Sequence, residues 1–244
     1  MMNTAEIRAL LVTRDRGTIE TFTGLFRELG VDMQPAIAVE GIPEELGRTK
    51  YEALILDYDA VSGAPAILDY ARKSPSNRNA VVFAVSSDAA YRQQALAQGA
   101  NFVFARPLVL EEIRNVLRTA YDLMIRERRR YFRCAAEIPI LLVKKTSGTD
   151  LRCTTINVSS SGMALATPSS LTLGEEVEIV LLLQGAGLTI RASGAVVWDD
   201  KHRKSGISFR CRTPGMQAEL DSWLGAHFFE LLSARGHHAG WLSP

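Results

Sequence analysis

Five short apolar segments alternate with helical segments over the first half of the chain, and this alternation restricts the fold more than any other feature. The apolar segments lie at residues 9–12, 35–39, 53–56, 81–85 and 102–104. Between them, apolar residues recur at helical spacing, and Gly30 and Gly99 end two of these helices. Continuous apolar runs are typical of parallel strands that helices cover on both faces. The sequence therefore predicts a doubly wound α/β domain over residues 1–122.

The second half of the chain has a different pattern, in which short strand-like segments follow one another closely. A long apolar-striped helix over residues 109–128 leads into it. The six strand-like segments lie at residues 138–143, 153–158, 163–166, 177–183, 188–198 and 206–209. Such spacing predicts a six-stranded antiparallel barrel, followed by an amphipathic helix over 216–232. The second domain is thus predicted at 123–236, with a frayed tail at 237–244.

Charge and composition exclude several kinds of partner. The 244 residues carry a formal net charge of +1, which predicts neither a nucleic-acid nor a membrane partner. No apolar run approaches the ~20 residues of a membrane span, and no basic, apolar leader precedes the first strand. Three cysteines without a C-x-x-C spacing predict no disulfide framework, no metal and no cofactor. We therefore expect a cytoplasmic protein.

Polar residues follow the predicted strands of the first half where functional groups of doubly wound sheets lie. These residues include Asp57 after the third strand, Ser86 after the fourth and Arg106-Pro107 after the fifth. The arrangement resembles a response-regulator receiver domain, a flavodoxin-like fold, over roughly residues 5–122. The resemblance implies that Asp57 takes the phosphoacceptor position, that Ser86 is the switch hydroxyl and that Arg106 replaces a lysine.

The first strand departs from the receiver pattern. Thr13 and Arg14 stand where the resemblance implies a magnesium-binding acidic pair, and a guanidinium group cannot bind a cation. We expect Arg14 to pair with Asp57 and to imitate the metal. A phosphorylatable receiver is one reading. The reading we favour is a pseudo-receiver that is not phosphorylated at Asp57 and serves as a scaffold or dimerisation surface.

Two short motifs mark the second domain. Arg129 and Arg133 form an R-x-x-x-R pattern, and Asn157, Ser159 and Gly162 form an N-x-S-x-x-G pattern. In this order, at the entry to a barrel, they resemble the PilZ domain, a receptor for the bacterial second messenger cyclic diguanylate. Arginine pairs bidentately with phosphate and with the O6/N7 edge of guanine, whereas asparagine and serine offer short donors and acceptors. The glycine allows close approach to a base.

The remaining expectations concern function as a whole. Arg128 and Arg130 are additional candidates for ligand contact, and Trp198 is expected to pack in the core or at the barrel rim. The chain lacks a paired general acid and base or a phosphate-binding loop, so we predict a receptor rather than an enzyme. Ligand binding at a flexible arginine segment would change the interdomain arrangement. The alternative is a scaffold that does not bind cyclic diguanylate. The long helix offers a surface for homodimerisation. The sequence does not identify a downstream protein partner.

Overall fold

The chain forms two compact units, Glu6–Arg129 and Arg130–Leu232, in a computed structural model that describes residues 6–183 and 186–234. The two units meet between Arg129 and Arg130, within the long helix that the sequence argument places across its boundary at 122. The tail predicted at 237–244 lies outside the described residues.

A five-stranded parallel sheet forms the centre of the first unit. Its strands are β1 (Arg8–Val12), β2 (Asp32–Ala36), β3 (Ala53–Asp57), β4 (Val81–Ser86) and β5 (Phe102–Ala105). Their order in the sheet is β2-β1-β3-β4-β5, which is the flavodoxin-like order. All residues of β3 and β4 are buried, as expected for central strands covered on both faces. The predicted doubly wound fold is therefore confirmed.

Strand β2 begins earlier than the apolar run at 35–39 suggests. Its register pairs Arg8 with Asp32 and Val12 with Ala36, and the amide of Asp32 donates to the carbonyl of Ile7 at 2.9 Å. The strand lies at the edge of the sheet and is partly exposed. An edge strand of this kind does not read as a continuous apolar run, so hydropathy alone misplaces it.

Helices cover the sheet and enclose its two cores. In chain order they are α1 (Arg16–Glu28), α2 (Ile42–Arg48), α3 (Ala64–Lys73), α4 (Ala89–Ala97) and α5 (Leu110–Tyr131). Phe22 and Phe26 of α1 pack against Phe83 and Phe104 of the sheet, with ring centroids 5.9–6.4 Å apart. Helix α5 ends at Tyr131 rather than at the predicted 128, so Arg129 and Arg130 are helical.

The second unit is a closed antiparallel barrel with a C-terminal helix. Its strands are β6 (Pro139–Lys144), β7 (Asp150–Val158), β8 (Gly162–Ala166), β9 (Glu176–Leu183), β10 (Leu188–Asp199) and β11 (Lys204–Cys211). They close in the order β10-β11-β8-β7-β6-β9. Helix α6 (Pro214–Ala234) buries Leu220, Leu224 and Phe228. The predicted six-stranded barrel and C-terminal helix are confirmed, and the strands are mostly longer than the apolar runs because polar turn-flanking residues also join the ladders.

Candidate functional sites

Strands β1, β3 and β4 of the first unit end in polar side chains that are shielded from solvent. Asp57 at the end of β3 is 0% exposed, and Thr13 and Ser86 beside it are also buried. The Thr13 hydroxyl donates to Oδ2 of Asp57 at 2.6 Å, and the amides of Asp59 and Ala60 donate to Oδ1 at 3.1 and 3.2 Å. Both oxygens of the candidate phosphoacceptor are therefore engaged by the protein.

Arg106 lies among three carboxylates at this edge of the sheet. Its Nη2 donates to Oδ2 of Asp57 at 2.7 Å, its Nη1 lies 3.3 Å from Asp15 Oδ2, and its Nε lies 3.2 Å from Asp59 Oδ2. The sequence argument did not single out Asp59. The sequence does give a signal for Asp59, because it follows Asp57 by two residues. The turn after a strand can bring such a residue to the same edge of the sheet.

The expectation that Arg14 pairs with Asp57 is wrong. The Arg14 side chain is exposed, and its Nε donates to the carbonyl of Ile37 at 3.3 Å. The physical reason is direction: the residue leaves the end of β1 toward the segment after β2, whereas Arg106 at the end of β5 reaches back across the edge. Arg106 therefore supplies the positive charge that the sequence argument assigned to Arg14.

Ser86 and Asp15 form hydrogen bonds with residues at the same edge of the sheet. The Ser86 hydroxyl donates to Oδ1 of Asp59 at 2.7 Å. Burial opposes ionisation of Asp59, but the hydrogen bonds from Ser86 and Ser87 outweigh it and hold the pKa of that carboxyl below its usual value. Hydrogen bonds from Thr18, whose amide Asp15 caps at the start of α1, similarly lower the pKa of Asp15.

These contacts do not fit a magnesium ion of the kind that receiver domains bind. A guanidinium group already lies within 2.7–3.3 Å of the carboxylates of Asp15, Asp57 and Asp59. A divalent cation would have to displace it to reach the same oxygens. Among residues 6–183 and 186–234, no three His, Cys, Asp or Glu side chains gather in a way that could hold a metal.

The arginine run that contains the R-x-x-x-R motif is divided between different surroundings. Arg128 is 8% exposed, and its Nη1 lies 3.6 Å from Oε1 of Glu52, a fully buried carboxyl whose pKa is raised by burial. Beside it, Lys50 donates to Glu127 at 2.7 Å. Arg129 and Arg130 follow on the last turn of α5. Arg128 therefore contributes to an ionic cluster of the first unit.

Arg133 is exposed, but the backbone on either side of it is held in place. Phe132 is 2% exposed and packs edge-on against Phe228 of α6 at 5.3 Å. Cys134 exchanges two backbone hydrogen bonds with Val158 at the end of β7, at 2.7 and 2.9 Å. Buried apolar and backbone contacts therefore hold the chain on both sides of Arg133, and the expected flexibility of the arginine segment stays a prediction.

The two sequence motifs meet at Arg133. Its Nη1 donates to Oδ1 of Asn157 at 3.3 Å, and its Nη2 lies 3.7 Å from where a Cβ on Gly162 would stand. Both the amide and the hydroxyl of Ser159 donate to the carbonyl of Gly162, at 2.8 and 2.9 Å. Ser159 therefore closes the turn, while Arg133 and Asn157 present polar groups beside it. Their contact with a ligand stays a prediction.

An outward-facing row of residues crosses the barrel from this point. Cross-strand pairing links Asn157 to Ala164, Ala164 to Gly206, and Gly206 to Trp198. Paired residues share a face of the sheet, and their neighbours Val158, Met163 and Ile207 point into the core. The row therefore runs over two small residues from the polar motif to an aromatic side chain.

Trp198 lies on the outer surface rather than in the core. It is 43% exposed, and its indole covers Gly206 so closely that an added Cβ would stand 1.9 Å from Nε1. Of the two placements expected for Trp198, the core is wrong, because its strand position faces outward. Packing at the barrel rim is not contradicted, since Trp198 lies near the end of β10 and its ring covers the neighbouring glycine. The structure thus places an indole face on the same surface row as Asn157.

Comparisons with known proteins give matches to different parts of the chain. Residues 127–230 match the family model described as the PilZ domain, and no curated protein matches the chain. The first half is similar in fold to the receiver domain of sensor histidine kinase PA1611 from Pseudomonas aeruginosa, with 18% identity, 47% and 96% of the two chains covered and a TM-score of 0.42. A CheY-like response regulator receiver domain protein from Methanospirillum hungatei is 15% identical. The match covers 50% of this chain and 98% of that chain, with a TM-score of 0.44.

A motility inhibitor of known structure also matches part of the chain. The Inhibitor of motility (MotI/DgrA) of Bacillus subtilis is 19% identical over 40% of this chain and 49% of its own, with a TM-score of 0.34. None of the helices that the structure describes is both long and apolar enough to cross a membrane.

Proposed function

Because residues 127–230 are a PilZ domain, a family that binds cyclic diguanylate, we propose that this protein is a receptor for cyclic diguanylate. The observation that supports the proposal most is the convergence of Arg133, Asn157 and Gly162 on one outer surface of the barrel. Two motifs that lie 24 residues apart in sequence, at Arg133 and Asn157, contribute to that surface. The proposed activity is binding rather than catalysis.

The charges and shapes at this surface suit a cyclic dinucleotide. Arg133 is exposed, and its 3.3 Å bond to Asn157 is long, so its guanidinium can turn to a phosphate or a guanine edge at little cost. Asn157 supplies an amide for a base edge. A side chain larger than hydrogen at Gly162 would stand 3.7 Å from Arg133 and 3.3 Å from the carbonyl of Ile207, which would narrow the surface.

The row that leads to Trp198 extends the proposed site. Adjacent strands lie about 4.8 Å apart, so three strand steps from Asn157 to Trp198 span roughly 14 Å. Between them lie only Ala164 and Gly206, and the indole already covers Gly206. An exposed indole face can stack on a purine base, as aromatic side chains do in other nucleotide sites. We propose that the ligand lies along this row.

Calorimetric titration with cyclic diguanylate tests the proposal. Arg133→Ala and Asn157→Ala should each weaken binding by about 1–3 kcal/mol, which corresponds to roughly 5- to 150-fold. Arg210→Ala is the matched control, because Arg210 is also an exposed barrel arginine and its removal changes the net charge equally. Absence of heat from the unaltered protein at roughly tens of micromolar ligand would defeat the receptor proposal.

We also propose that ligand binding in the barrel unit affects the first unit. Ligand binding would change the arrangement of the two units, since the predicted R-x-x-x-R motif begins at Arg129 on α5 and ends at Arg133 in the barrel unit. Small-angle scattering with and without ligand tests this; superimposable profiles would refute it.

The three cysteines are free thiols, which supports a reducing, cytoplasmic setting.

A second function is favoured by the Arg106 cluster. If a guanidinium group permanently occupies the carboxylates of the first unit, that unit can act as a docking or dimerisation module that needs no phosphoryl group. Large apolar side chains exposed on α4 and at the start of α5, namely Tyr91, Leu96, Val109 and Leu110, offer a surface for this role. Sedimentation of the protein and of Leu96→Glu tests it, and a monomer at every concentration would exclude the dimer.

A further inference from the structure

The turn between β7 and β8 is tied to helix α6 by a side chain that the motif leaves unspecified. Ser160 follows Ser159 in the N-x-S-x-x-G pattern, at a position where the pattern accepts any residue. Its hydroxyl donates to Oδ1 of Asp221 at 2.7 Å. Nε2 of Gln217 donates to the carbonyl and to the hydroxyl oxygen of Ser160, each at 3.0 Å. We call these contacts the α6 latch.

The latch joins residues that are far apart in sequence but fixed by the barrel unit. Gln217 and Asp221 are four residues apart on α6, so they lie one turn apart on the same face, and their side chains approach to 3.2 Å. Leu220 and Leu224, which are buried, anchor this part of the helix in the barrel core. The partners of Ser160 are therefore held by packing before any ligand arrives.

Helix α6 also contacts the segment that carries the R-x-x-x-R motif. Phe228 packs edge-on against Phe132, the residue before Arg133, at 5.3 Å. One helix thus braces the backbone beside Arg133 through an apolar contact and the turn beside Ser159 through the latch. Neither contact uses a group that the proposed ligand would touch.

We infer that Ser160 is a positioning residue for the cyclic diguanylate site, held by Gln217 and Asp221 of α6. The inference rests on the proposed function and adds a determinant of affinity outside the motif. The turn carries Asn157 and Gly162 on its two sides, so an unlatched turn would sample several conformations and binding would have to select one of them. Ordering a loop on binding costs free energy, and a loop that is already ordered avoids that cost.

The test compares neighbouring serines in the full-length protein. Ser160→Ala and Gln217→Ala should each weaken cyclic diguanylate binding about threefold to tenfold in calorimetry, as expected for one or two partly exposed hydrogen bonds. Ser161→Ala is the matched control, since Ser161 is exposed in the same turn, and it should stay within about twofold. Ser160→Thr keeps the hydroxyl and should restore most of the affinity. The double variant Ser160→Ala/Gln217→Ala should lose little more than either single variant.

Hydrogen exchange of the ligand-free protein separates positioning from general destabilisation. In Ser160→Ala, faster exchange should be confined to the turn at 159–163, while the strands of the barrel keep their protection. Faster exchange throughout the barrel would show a merely structural role and overturn the inference. So would binding by Ser160→Ala and Gln217→Ala that equals that of the unaltered protein. Failure of the unaltered protein to bind would instead refute the proposed function, and this inference with it.

Discussion

Replacement of Arg106 by methionine should destabilise the first unit, because it leaves the carboxyl of Asp57 without its cationic partner. Asp57 is 0% exposed, and its bond to Arg106 at 2.7 Å is the shortest of the three contacts that Arg106 makes with carboxylates. Breaking a buried ion pair from one side costs about 3–5 kcal/mol. Methionine keeps an apolar stem but carries no charge and ends two bonds short of the terminal guanidinium nitrogens, so the change removes mainly the electrostatic partner.

Two features of the cluster reduce that cost. The side chain of Arg106 is 25% exposed, so water can partly replace it. Asp57 also keeps the donors from Thr13, Asp59 and Ala60, at 2.6, 3.1 and 3.2 Å. We therefore expect a loss of about 2–4 kcal/mol in the free energy of unfolding of the first unit.

Hydrogen exchange with mass spectrometry is the suitable assay, because it reports each unit separately. The sequence has no tryptophan between residues 6 and 129, so hydrogen exchange is the more direct measurement for that segment. The amides of β3 and β4 should exchange about 30- to 1000-fold faster in Arg106→Met. Exposed Arg14→Met is the control and should change stability by less than about 0.5 kcal/mol.

A double substitution isolates the charge effect. In Arg106→Met/Asp57→Asn the buried carboxylate is absent, so most of the loss seen in Arg106→Met should disappear. Equal effects of Arg14→Met and Arg106→Met would refute the reasoning, as would a double variant that is less stable than Arg106→Met alone. Either result would mean that Arg106 does not neutralise Asp57.

Three other predictions concern single sites. Acetyl phosphate with magnesium should leave Asp57 unmodified in intact-mass measurements, because its oxygens are engaged by four donors; a phosphoryl adduct at this residue would contradict that. Gly206→Ala should displace the indole of Trp198, since the new Cβ would stand 1.9 Å from Nε1, and should change the near-ultraviolet circular dichroism, whereas Gly215→Ala, with more room, should not. Hydrogen bonds from a backbone amide, a hydroxyl group and a second amide lower the pKa of Asp199 to about 2 from its ordinary value of 3.8. The stabilisation by Asp199 should therefore be complete above about pH 4 and be lost as the pH falls toward 2, so that the melting temperatures of the protein and of Asp199→Asn converge in acid; a difference that does not change with pH would speak against this.

The order of the elements could be predicted because it depends on local patterns. Buried parallel strands such as β3 and β4 are continuous apolar runs, and the short strands of the barrel are separated by polar or glycine-containing turns. The two short motifs could be recognised for the same reason, because each lies within a few consecutive residues. The edge strand β2 was misplaced because three of its five residues are exposed and none is fully buried.

What the sequence determined by itself was therefore the two fold types, the sheet edge that carries Asp57 and the short motifs that meet at Arg133. Only the tertiary structure decided which arginine reaches Asp57, because Arg14 and Arg106 both follow strands of one sheet and differ in the direction in which their side chains leave it. The latch between Ser160 and Gln217 spans 57 residues of sequence. Contacts of this kind depend on how distant elements pack, and no local pattern of residues encodes that distance or direction.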